Sequence, residues 1–463
     1  MLWTAADLAL ATGGTARVPF AASGVSIDSR TLQPGDLFVA LTDARDGHEF
    51  VADALARGAA GALIRRGALN LPPDAPVLEV ADPLASLRDL ARFARARFTG
   101  RVVAVTGSVG KTTTKEMLRA VLGGLGRVHA ADASFNNHIG VPLTLARMPP
   151  EADYAVIEIG MNHPGEIAPL AGLAQPNVAI VTNVAAAHIG HMGSLEAIAR
   201  EKSAIFQGLR PGGAAVLGLR SQADLIVERA AHDATENVWL AVEGGRVETL
   251  SSSLDPDGSD LFVRVNDQEF ALRLGAPGLH MAENALKVLA AVAALGGDPA
   301  LAAQGLADFS AAAGRGVRRS ILGGKALLLD ESYNASTLSV RATLALLDLV
   351  HAERRIAVLG DMREMGEFGP SEHASLAADV RQHADLLFTC GPLMGHLHEA
   401  VLSAPSRDSV PASVAVMHAE DAEHLAPLVA SAIRPGDAVL VKGSFGSRMR
   451  LVVDALTALP EAV

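Results

Sequence analysis

The chain has 463 residues, which is enough for about three domains of ordinary size. Its net charge of −12 argues against a protein that binds nucleic acid or a membrane surface. The single cysteine, Cys390, excludes an internal disulfide framework and a zinc site built from several cysteines. We predict no membrane insertion, because no apolar run could span a bilayer, and no signal peptide, because the first residues lack a basic segment. A cytoplasmic enzyme fits these features.

Residues 1–98 predict a small α/β domain. Its strand patterns are Leu37–Ala40, Ala62–Ile64 and Val77–Val80, and its helical patterns are Phe50–Arg57 and Leu84–Phe98.

Residues 99–314 predict a central domain with a parallel sheet. Near-continuous runs of valine, isoleucine and alanine are typical of strands that are covered on both faces. These runs are Val102–Val105, Ala155–Ile159, Val178–Val181 and Ala214–Leu217. A hairpin, Leu261–Val265 with Phe270–Leu274, and a helix, Ala282–Leu295, follow. The small and basic segment Ala311–Arg319 predicts a linker to the next domain.

Residues 315–463 predict a Rossmann-like C-terminal domain, so the fold class is α/β in three domains. Its strands are Ala326–Leu329, Ile356–Leu359, Leu386–Thr389 and Ala438–Val441, and its helices are Leu338–Leu349, His373–Val380 and Ala422–Ile433. Pro427 predicts either a kink in the last helix or a later start.

The segment Thr106–Thr113, T-G-S-V-G-K-T-T, lies between an apolar strand and a helical pattern. A glycine-rich loop in this position directs its backbone N–H groups and the helix N-terminus at phosphate. Lys111 would reach the outer phosphates, and the Thr112 hydroxyl would hold Mg²⁺. The segment therefore predicts a nucleoside triphosphate site, with binding contacts from Gly107, Ser108, Gly110, Lys111, Thr112 and Thr113.

Two further candidates lie at the ligand edge of the central sheet, beyond the carboxyl ends of its strands. Glu158 ends one strand, and a carboxylate beside a phosphate loop suits Mg²⁺. His188 follows the next strand, but imidazole is an uncommon magnesium ligand, so its residue type alone favours an ordinary loop histidine. Lys202 lies in a helical pattern, where composition alone favours a solvated lysine.

Two pairs of polar residues remain open to alternative interpretations. Asn136 and Asn137 lie in an amide-rich segment that suits either a polar ligand or a simple turn. His280 and Asn284, one helical turn apart, suit either a nucleotide base or the start of a helix.

Arg315 lies with two other arginines on the predicted linker, from which it would reach a phosphate when domains close, although the sequence alone slightly favours surface solubility as the explanation. Three polar residues follow the first strand of the C-terminal domain and lie either at a ligand edge or in a plain polar loop: Asp330, Tyr333 and Asn334.

Taken together, these motifs resemble the Mur ligase family, the ATP-dependent amide-forming enzymes of peptidoglycan precursor assembly. The resemblance covers nearly the whole chain, with the motifs in the family's order. Several segments are most similar to members that add D-alanyl-D-alanine to UDP-N-acetylmuramoyl-tripeptide: Asp28–Arg30 before Leu32–Phe38, Phe135–Asn137 before Ile139–Pro142, Tyr333–Ala335 and Gly360–Gly366. The D-N-P-R motif of the diaminopimelate-adding relatives is absent from the sequence. Met281 stands where the family commonly has asparagine.

The resemblance implies a role for each candidate. Lys111 and Thr112 would hold ATP phosphate and Mg²⁺, and Glu158 and His188 would be magnesium ligands, together with Lys202 as an N-carbamylated residue. His280 and Asn284 would border the adenine, and Arg315 and Asp330 would close the site. The remaining residues would contact the peptide and UDP-sugar substrates: Ser29, Arg30, Asn136, Asn137, Tyr333 and Asn334.

The activity that this resemblance implies is formation of an amide bond, driven by ATP, between UDP-N-acetylmuramoyl-tripeptide and D-alanyl-D-alanine. The alternative is another ligase of the same family, either an amino-acid-adding Mur ligase or one of the folylpolyglutamate type. A regulatory nucleotide-binding protein is a weaker alternative, because the guanine-binding N-K-x-D motif is absent. We expect a monomer.

Overall fold

The structure is a computed structural model that describes residues 1–43, 45–218, 221–310, 314–403 and 414–460. It is an α/β protein in which successive parts of the chain are each built around a sheet. Within the described ranges, no helix combines the length and the apolar character needed to cross a membrane.

The N-terminal part contains a mostly parallel sheet in the order β2-β7-β6-β5-β4, in which only β2 is antiparallel to its neighbour. Its strands are β1 Trp3–Thr4, β2 Thr15–Ala16, β3 Ala21–Ala22, β4 Gly24–Ser26, β5 Asp36–Val39, β6 Gly61–Arg65 and β7 Val77–Val80. Its helices are α1 Ala5–Thr12, α2 Val51–Ala56 and α3 Pro83–Arg97. The Asp82 carboxylate caps the start of α3, where Pro83 fits the first turn.

The central part contains a parallel sheet in the order β13-β12-β11-β8-β10-β9, followed by the antiparallel sheet β14-β15-β16. Its strands are β8 Arg101–Thr106, β9 Val128–Ala130, β10 Tyr154–Glu158, β11 Val178–Val181, β12 Ala214–Leu217, β13 Val238–Leu240, β14 Val247–Asp255, β15 Gly258–Val265 and β16 Gln268–Leu274. Its helices are α4 Lys111–Gly123, α5 Gly140–Ala146, α6 Ile167–Ala174, α7 Ile189–Met192, α8 Leu195–Ser203, α9 Asp224–Ala234, α10 Leu279–Ala294 and α11 Pro299–Ala303.

Both faces of the central sheet are covered, as its apolar strands predict. On β8, Val102 and Ala104 pack into one hydrophobic cluster, whereas Val103 and Val105 pack into another. This alternation follows from the two-residue period of a strand. The carboxyl end of β8 leads directly into the loop that precedes α4.

The C-terminal part contains a sheet in the order β17-β18-β22-β19-β20-β21, parallel except for β17. Its strands are β17 Val317–Ile321, β18 Ala326–Glu331, β19 Arg354–Gly360, β20 Leu386–Cys390, β21 Ala415–Ala419 and β22 Asp437–Lys442. Its helices are α12 Thr337–Leu346, α13 Gly369–Ala374, α14 Ala377–His383, α15 Met394–Ser403, α16 Ala422–Ala432 and α17 Arg450–Thr457.

Three sequence predictions about elements need correction. The predicted hairpin has an additional strand, β14, whose serine-rich stretch lacks an apolar pattern. The predicted helix His373–Val380 is divided between α13 and α14. The later start that Pro427 suggested for α16 is wrong, because the Asp421 side chain caps a helix that begins at Ala422 and contains the proline.

The predicted linker Ala311–Arg319 is also partly wrong. Its first three residues lie outside the described residues, but Val317–Arg319 belong to β17, which pairs with β18. Arg318 and Arg319 are therefore strand residues, whereas Arg315 precedes the strand. The domain boundaries 1–98, 99–314 and 315–463 stay a prediction.

Candidate active site

The phosphate-loop motif forms the turn between β8 and α4. Gly107 has φ of 152° and Gly110 has φ of 86°, which favour glycine over residues with a β-carbon. A Cβ on Gly107 would overlap the Thr182 hydroxyl, so the loop also needs glycine for its close approach to β11. The Ser108 hydroxyl donates to the Ala185 carbonyl at 2.9 Å and fixes the loop from that side. Thr113 lies half-buried in the first turn of α4.

Lys111 begins α4 and turns back over its own loop. Its ammonium group donates hydrogen bonds to the Gly107 carbonyl at 2.8 Å and the Ser108 carbonyl at 3.4 Å. Burial lowers its pKa, against the opposing effect of the Glu158 carboxylate. The ammonium therefore lies over the loop, where its charge would meet a bound phosphate.

Glu158 and Thr112 are in direct contact. The Thr112 hydroxyl donates to Glu158 Oε1 at 3.1 Å, and the Asn136 amide donates to the same oxygen at 2.7 Å. The other oxygen, Oε2, is buried and has no hydrogen-bond partner among the described residues. An ionised carboxylate with an unpaired buried oxygen is costly, and a divalent cation would satisfy it. This oxygen and the adjacent hydroxyl fit a magnesium site.

Lys202 is buried, with only 1% of its surface exposed, so the solvated lysine that composition favoured is wrong. It lies near the end of α8, a helix capped by Ser194. Burial lowers its pKa well below the usual value, and the Lys111 ammonium lowers it further. An amine that loses its proton readily in such a place is suited to reaction as a nucleophile.

His188 precedes α7 and has φ of 60°, a left-handed conformation that is uncommon for a residue with a β-carbon. Its Nδ1 atom is hydrogen-bonded to a carboxylate oxygen of Glu364, which lies in the C-terminal part of the chain. The hydrogen bond with His188 lowers the pKa of the Glu364 carboxyl. The sequence offered Glu364 only as part of the Gly360–Gly366 motif, without a role.

The segment with Asn136 and Asn137 lies against the phosphate loop. The Ser134 hydroxyl is 3.2 Å from the Thr112 hydroxyl and accepts a hydrogen bond from Arg315 at 3.3 Å. The Asn137 side chain has a different role, because its oxygen accepts the N–H groups of Ile139 at 3.1 Å and Gly140 at 2.8 Å, just before and at the start of α5. The structure thus brings Asn136 and Arg315 to the site but uses Asn137 within its own turn.

The buried residue Lys115 is one that sequence reasoning missed. Its ammonium group donates to the Ala131 carbonyl at 2.5 Å and the Ala133 carbonyl at 3.3 Å. It thereby joins α4 to the segment that carries Ser134. A lysine one helical turn after Lys111 is the only signal that the sequence offered for it.

His280 and Asn284 lie in the first turns of α10. Asn284 is buried beside the phosphate loop, where its amide would be 2.9 Å from a Cβ on Gly110. Burial lowers the pKa of His280 to about 4, and the Lys442 ammonium contributes to this shift. The start of α10 therefore lies beside the phosphate loop. Neither His280 nor Asn284 caps the helix, because its N-cap residue is Gly278.

The ligand edge of the C-terminal sheet faces the same region. Arg315 stacks on Tyr333, with its guanidinium carbon 4.1 Å from the ring centroid. Asp330 is fully buried, and its Oδ1 accepts the Ser332 hydroxyl at 2.6 Å. The Asn334 carbonyl accepts a hydrogen bond from Lys442 at 3.1 Å, whereas its side chain bonds within its own turn.

Ser29 and Arg30 lie in the N-terminal part, after β4. Arg30 is 84% exposed and pairs with Asp28 at 2.6 Å, whereas Ser29 is buried. Their strand is joined to the central part by Arg147, which donates to the Val25 carbonyl at 2.5 Å. The Arg30 contact is therefore within its own turn, whereas Ser29 is hydrogen-bonded to the Asp53 side chain of α2.

Comparison with known proteins agrees with this architecture. Residues 105–292 match the Mur ligase middle domain, and residues 317–445 match the Mur ligase, glutamate ligase domain. The UDP-N-acetylmuramoyl-tripeptide--D-alanyl-D-alanine ligase of Synechocystis is 35% identical over 94% of this chain and 92% of its own. The protein of the same name from Bacillus subtilis is 32% identical over 94% of this chain and 93% of its own.

Solved structures give the same result. Crystal structure I of MurF from Acinetobacter baumannii is similar, with a TM-score of 0.85, 29% identity and coverage of 98% of each chain. MurF ligase from Thermotoga maritima in complex with ADP has a TM-score of 0.76 and 27% identity, with coverage of 94% of this chain and 97% of that one. The chain belongs to the Mur ligase family.

Proposed function

We propose that this protein is an ATP-dependent ligase that joins D-alanyl-D-alanine to the terminal carboxylate of UDP-N-acetylmuramoyl-tripeptide. The reaction class follows from the family, and the substrates follow from the names of relatives that match almost the full chain. The observation that carries the proposal is the cluster of Thr112, Glu158 and Lys111 at the end of β8 and β10. Such a cluster can hold a triphosphate and its metal ion.

Magnesium and a carbamylated lysine are part of the proposal. Thr112 and Glu158 would hold Mg²⁺ together with phosphate oxygens, and the ion would neutralise the charge that develops on the phosphates. No three His, Cys, Asp or Glu side chains in the described ranges are grouped to hold a metal by themselves. A carbamate on Lys202 would add a carboxylate-like ligand, and its depressed pKa supports this chemistry. His188 would be a further ligand.

The residues of the chain have distinct tasks in the proposed reaction. The tripeptide carboxylate attacks the terminal phosphate of ATP, and an acyl phosphate and ADP are formed. Lys111 and the backbone N–H groups of the loop stabilise the charge on the transferred phosphoryl group. The amine of the dipeptide then attacks the acyl carbon and loses a proton, and phosphate leaves. Arg315 and Asp330 would close the site and keep water away from the acyl phosphate.

The remaining assignments follow from position. We propose that His280 and Asn284 border the adenine, because Asn284 lies against the phosphate loop. Six residues are proposed to contact the other substrates: Ser29, Arg30, Asn136, Asn137, Tyr333 and Asn334. The N-terminal domain, 1–98, would hold the UDP-muramoyl group, the central domain, 99–314, would hold ATP, and the C-terminal domain, 315–463, would hold the dipeptide. We propose that the protein acts as a monomer.

The test is phosphate release from ATP in the presence of UDP-N-acetylmuramoyl-tripeptide, with and without D-alanyl-D-alanine. We expect release only when both substrates are present, together with a UDP-N-acetylmuramoyl-pentapeptide product by mass spectrometry. Release with a single amino acid and a shorter precursor would instead show an amino-acid-adding member of the family. Steady ATP hydrolysis without any substrate would contradict ligase activity.

A further inference from the structure

The contact between His188 and Glu364 joins two distant parts of the chain. His188 follows β11 at the ligand edge of the central sheet, and Glu364 follows β19 in the C-terminal sheet. Nδ1 of the imidazole faces a carboxylate oxygen of Glu364 within hydrogen-bond distance. The side chains are partly covered, with 21% of His188 and 43% of Glu364 exposed. The pair is therefore a contact between regions and not part of a hydrophobic core.

The backbones around this pair approach each other closely. The Gly190 N–H donates to the Glu364 carbonyl at 3.0 Å. A Cβ on Gly190 would lie 2.5 Å from the nitrogen of Gly366 and 2.8 Å from the Glu364 carbonyl oxygen. The residue at 190 must therefore be glycine for the C-terminal segment to come this near to α7.

Both members of the pair have left-handed backbone conformations, with φ of 60° for His188 and 65° for Glu364. A residue with a β-carbon adopts this conformation when its surroundings require it, and such residues are concentrated at functional sites. Here the two conformations bring the two side chains together. The rings of His163 and His191 are stacked with their centroids 5.0 Å apart. Both histidines lie near Glu364 and contribute to the lowered pKa of its carboxyl group.

We propose that Glu364 is a positioning residue for His188, supplied by the C-terminal region when it packs against the central region. Its carboxylate accepts the Nδ1–H hydrogen bond, which fixes the tautomer and the ring orientation and leaves Nε2 free as a metal ligand. The metal site is then complete only when the two regions are together. This inference rests on the proposed function, because it assigns His188 to the magnesium site.

The chain offers variants that separate this role from a general effect on the interface. Glu364→Ala removes the acceptor, and Glu364→Gln keeps an acceptor oxygen without the charge. Glu367→Ala is the matched control, because Glu367 is an exposed glutamate in the same segment. Gly190→Ala keeps both side chains but forces the two backbones apart.

The test measures the affinity of the full-length protein for Mn²⁺ at a saturating concentration of AMPPCP, a non-hydrolysable ATP analogue. The electron paramagnetic resonance signal of free Mn²⁺ reports how much of the metal is bound. We expect Glu364→Ala to weaken Mn²⁺ binding by about 10-fold to 100-fold, which is the usual effect of losing a residue that orients a metal ligand. We expect a smaller loss for Glu364→Gln and wild-type binding for Glu367→Ala. A cooperative thermal unfolding transition shows that a variant is folded. If Glu364→Ala does not fold, Glu364→Gln serves as the test in its place.

A double variant completes the test. If Gly190→Ala acts by withdrawing Glu364, the double variant Gly190→Ala/Glu364→Ala should bind Mn²⁺ no more weakly than Glu364→Ala alone. Fully additive losses would overturn the inference, as would wild-type Mn²⁺ affinity in Glu364→Ala.

Glu158→Gln distinguishes the inference from the proposed function. If Mn²⁺ binding weakens in Glu158→Gln but not in Glu364→Ala, the metal site stands and only the role of Glu364 fails. If Mn²⁺ binding is unchanged in both variants, the proposed metal site fails as well.

Discussion

The Thr112 hydroxyl donates a hydrogen bond to Glu158 Oε1 at 3.1 Å, although the two residues belong to different strand–helix units. The register of the sheet explains this contact. Glu158 is paired with Val105, so its side chain leaves β10 just where β8 gives way to the phosphate loop. Parallel pairing of neighbouring strands thus brings together the carboxylate and the hydroxyl that are proposed to hold the same cation.

Replacing Glu158 by glutamine tests the proposed metal site. We expect kcat to fall by about 10²-fold or more, because the charge that would hold the ion beside the phosphates is lost. The unliganded variant should be at least as stable as the wild type, since a buried oxygen without a hydrogen-bond partner no longer carries charge. Steady-state phosphate release and thermal unfolding measure the two effects.

Glu151→Gln is the control for this substitution. Glu151 is exposed just before β10 and carries the same charge, so its kcat and stability should match the wild type. Wild-type turnover in Glu158→Gln would remove this residue from the metal site.

Two glycines at opposite ends of α4 should respond to alanine in opposite directions. Gly110 has φ of 86°, and a Cβ on it would lie 2.9 Å from the Asn284 amide nitrogen. We expect Gly110→Ala to destabilise the protein by about 1 kcal/mol or more and to weaken AMPPCP binding. Thermal unfolding and a titration with AMPPCP measure these losses.

Gly123→Ala is the matched substitution at the other end of the helix. A Cβ on Gly123 meets nothing within 4 Å, and its φ is not in the left-handed region. We expect it to stabilise the protein by about 0.5–1 kcal/mol, because alanine restricts the unfolded chain. Equal effects of the two alanines would show that the conformation at residue 110 is not required.

The sequence predicted secondary structure best where a segment is fully buried and its apolar residues form a continuous or regularly spaced pattern. The predicted strand Val178–Val181 has the same bounds in the structure, because such apolar runs are buried on both faces of a parallel sheet. The edge strand β17 was missed, since its two arginines and serine resemble a polar linker. An edge strand can carry such residues because one side of it is open to solvent.

Some site residues could be predicted from the sequence and others could not, for a related reason. The loop motif and the end of β10 could be predicted, because local spacing fixes both. The burial of Lys202 could not be predicted from its helix, since the groups that surround it include Lys111 from a distant part of the chain. The contact of Glu364 with His188 likewise depends on how two separate sheets are packed.

Replacing Lys202 by alanine tests the proposed carbamate. We expect the loss of at least 10²-fold in kcat, because a charged group in the metal site is removed. A short carboxylate such as formate or acetate should restore part of the activity, since it supplies the missing carboxylate oxygens. Phosphate release with increasing formate measures the rescue.

Arg200→Ala controls for the loss of a cation from the same helix. Arg200 is exposed on α8, so its removal should leave kcat unchanged and should show no response to formate. Unchanged turnover in Lys202→Ala would exclude the carbamate role.

His280 should make the stability of the unliganded protein depend on pH. Burial and then the Lys442 ammonium lower its pKa to about 4, whereas the usual value in an unfolded chain is 6.5. Between these values the unfolded chain binds a proton at this residue and the folded chain does not. Protonation therefore favours unfolding, so the stability that His280 contributes is complete above pH 6.5 and is lost as the pH falls towards 4.

His280→Gln removes the titrating group but keeps a polar side chain of similar reach. We expect the melting temperature of the wild type to fall relative to that of the variant between pH 6.5 and 4, as followed by thermal unfolding without nucleotide. Above pH 7 the difference between the two proteins should be constant, because histidine is then neutral in both the folded and the unfolded chain. A difference in melting temperature that stays constant from pH 8 to pH 4 would show that the pKa of His280 is not lowered in the folded protein.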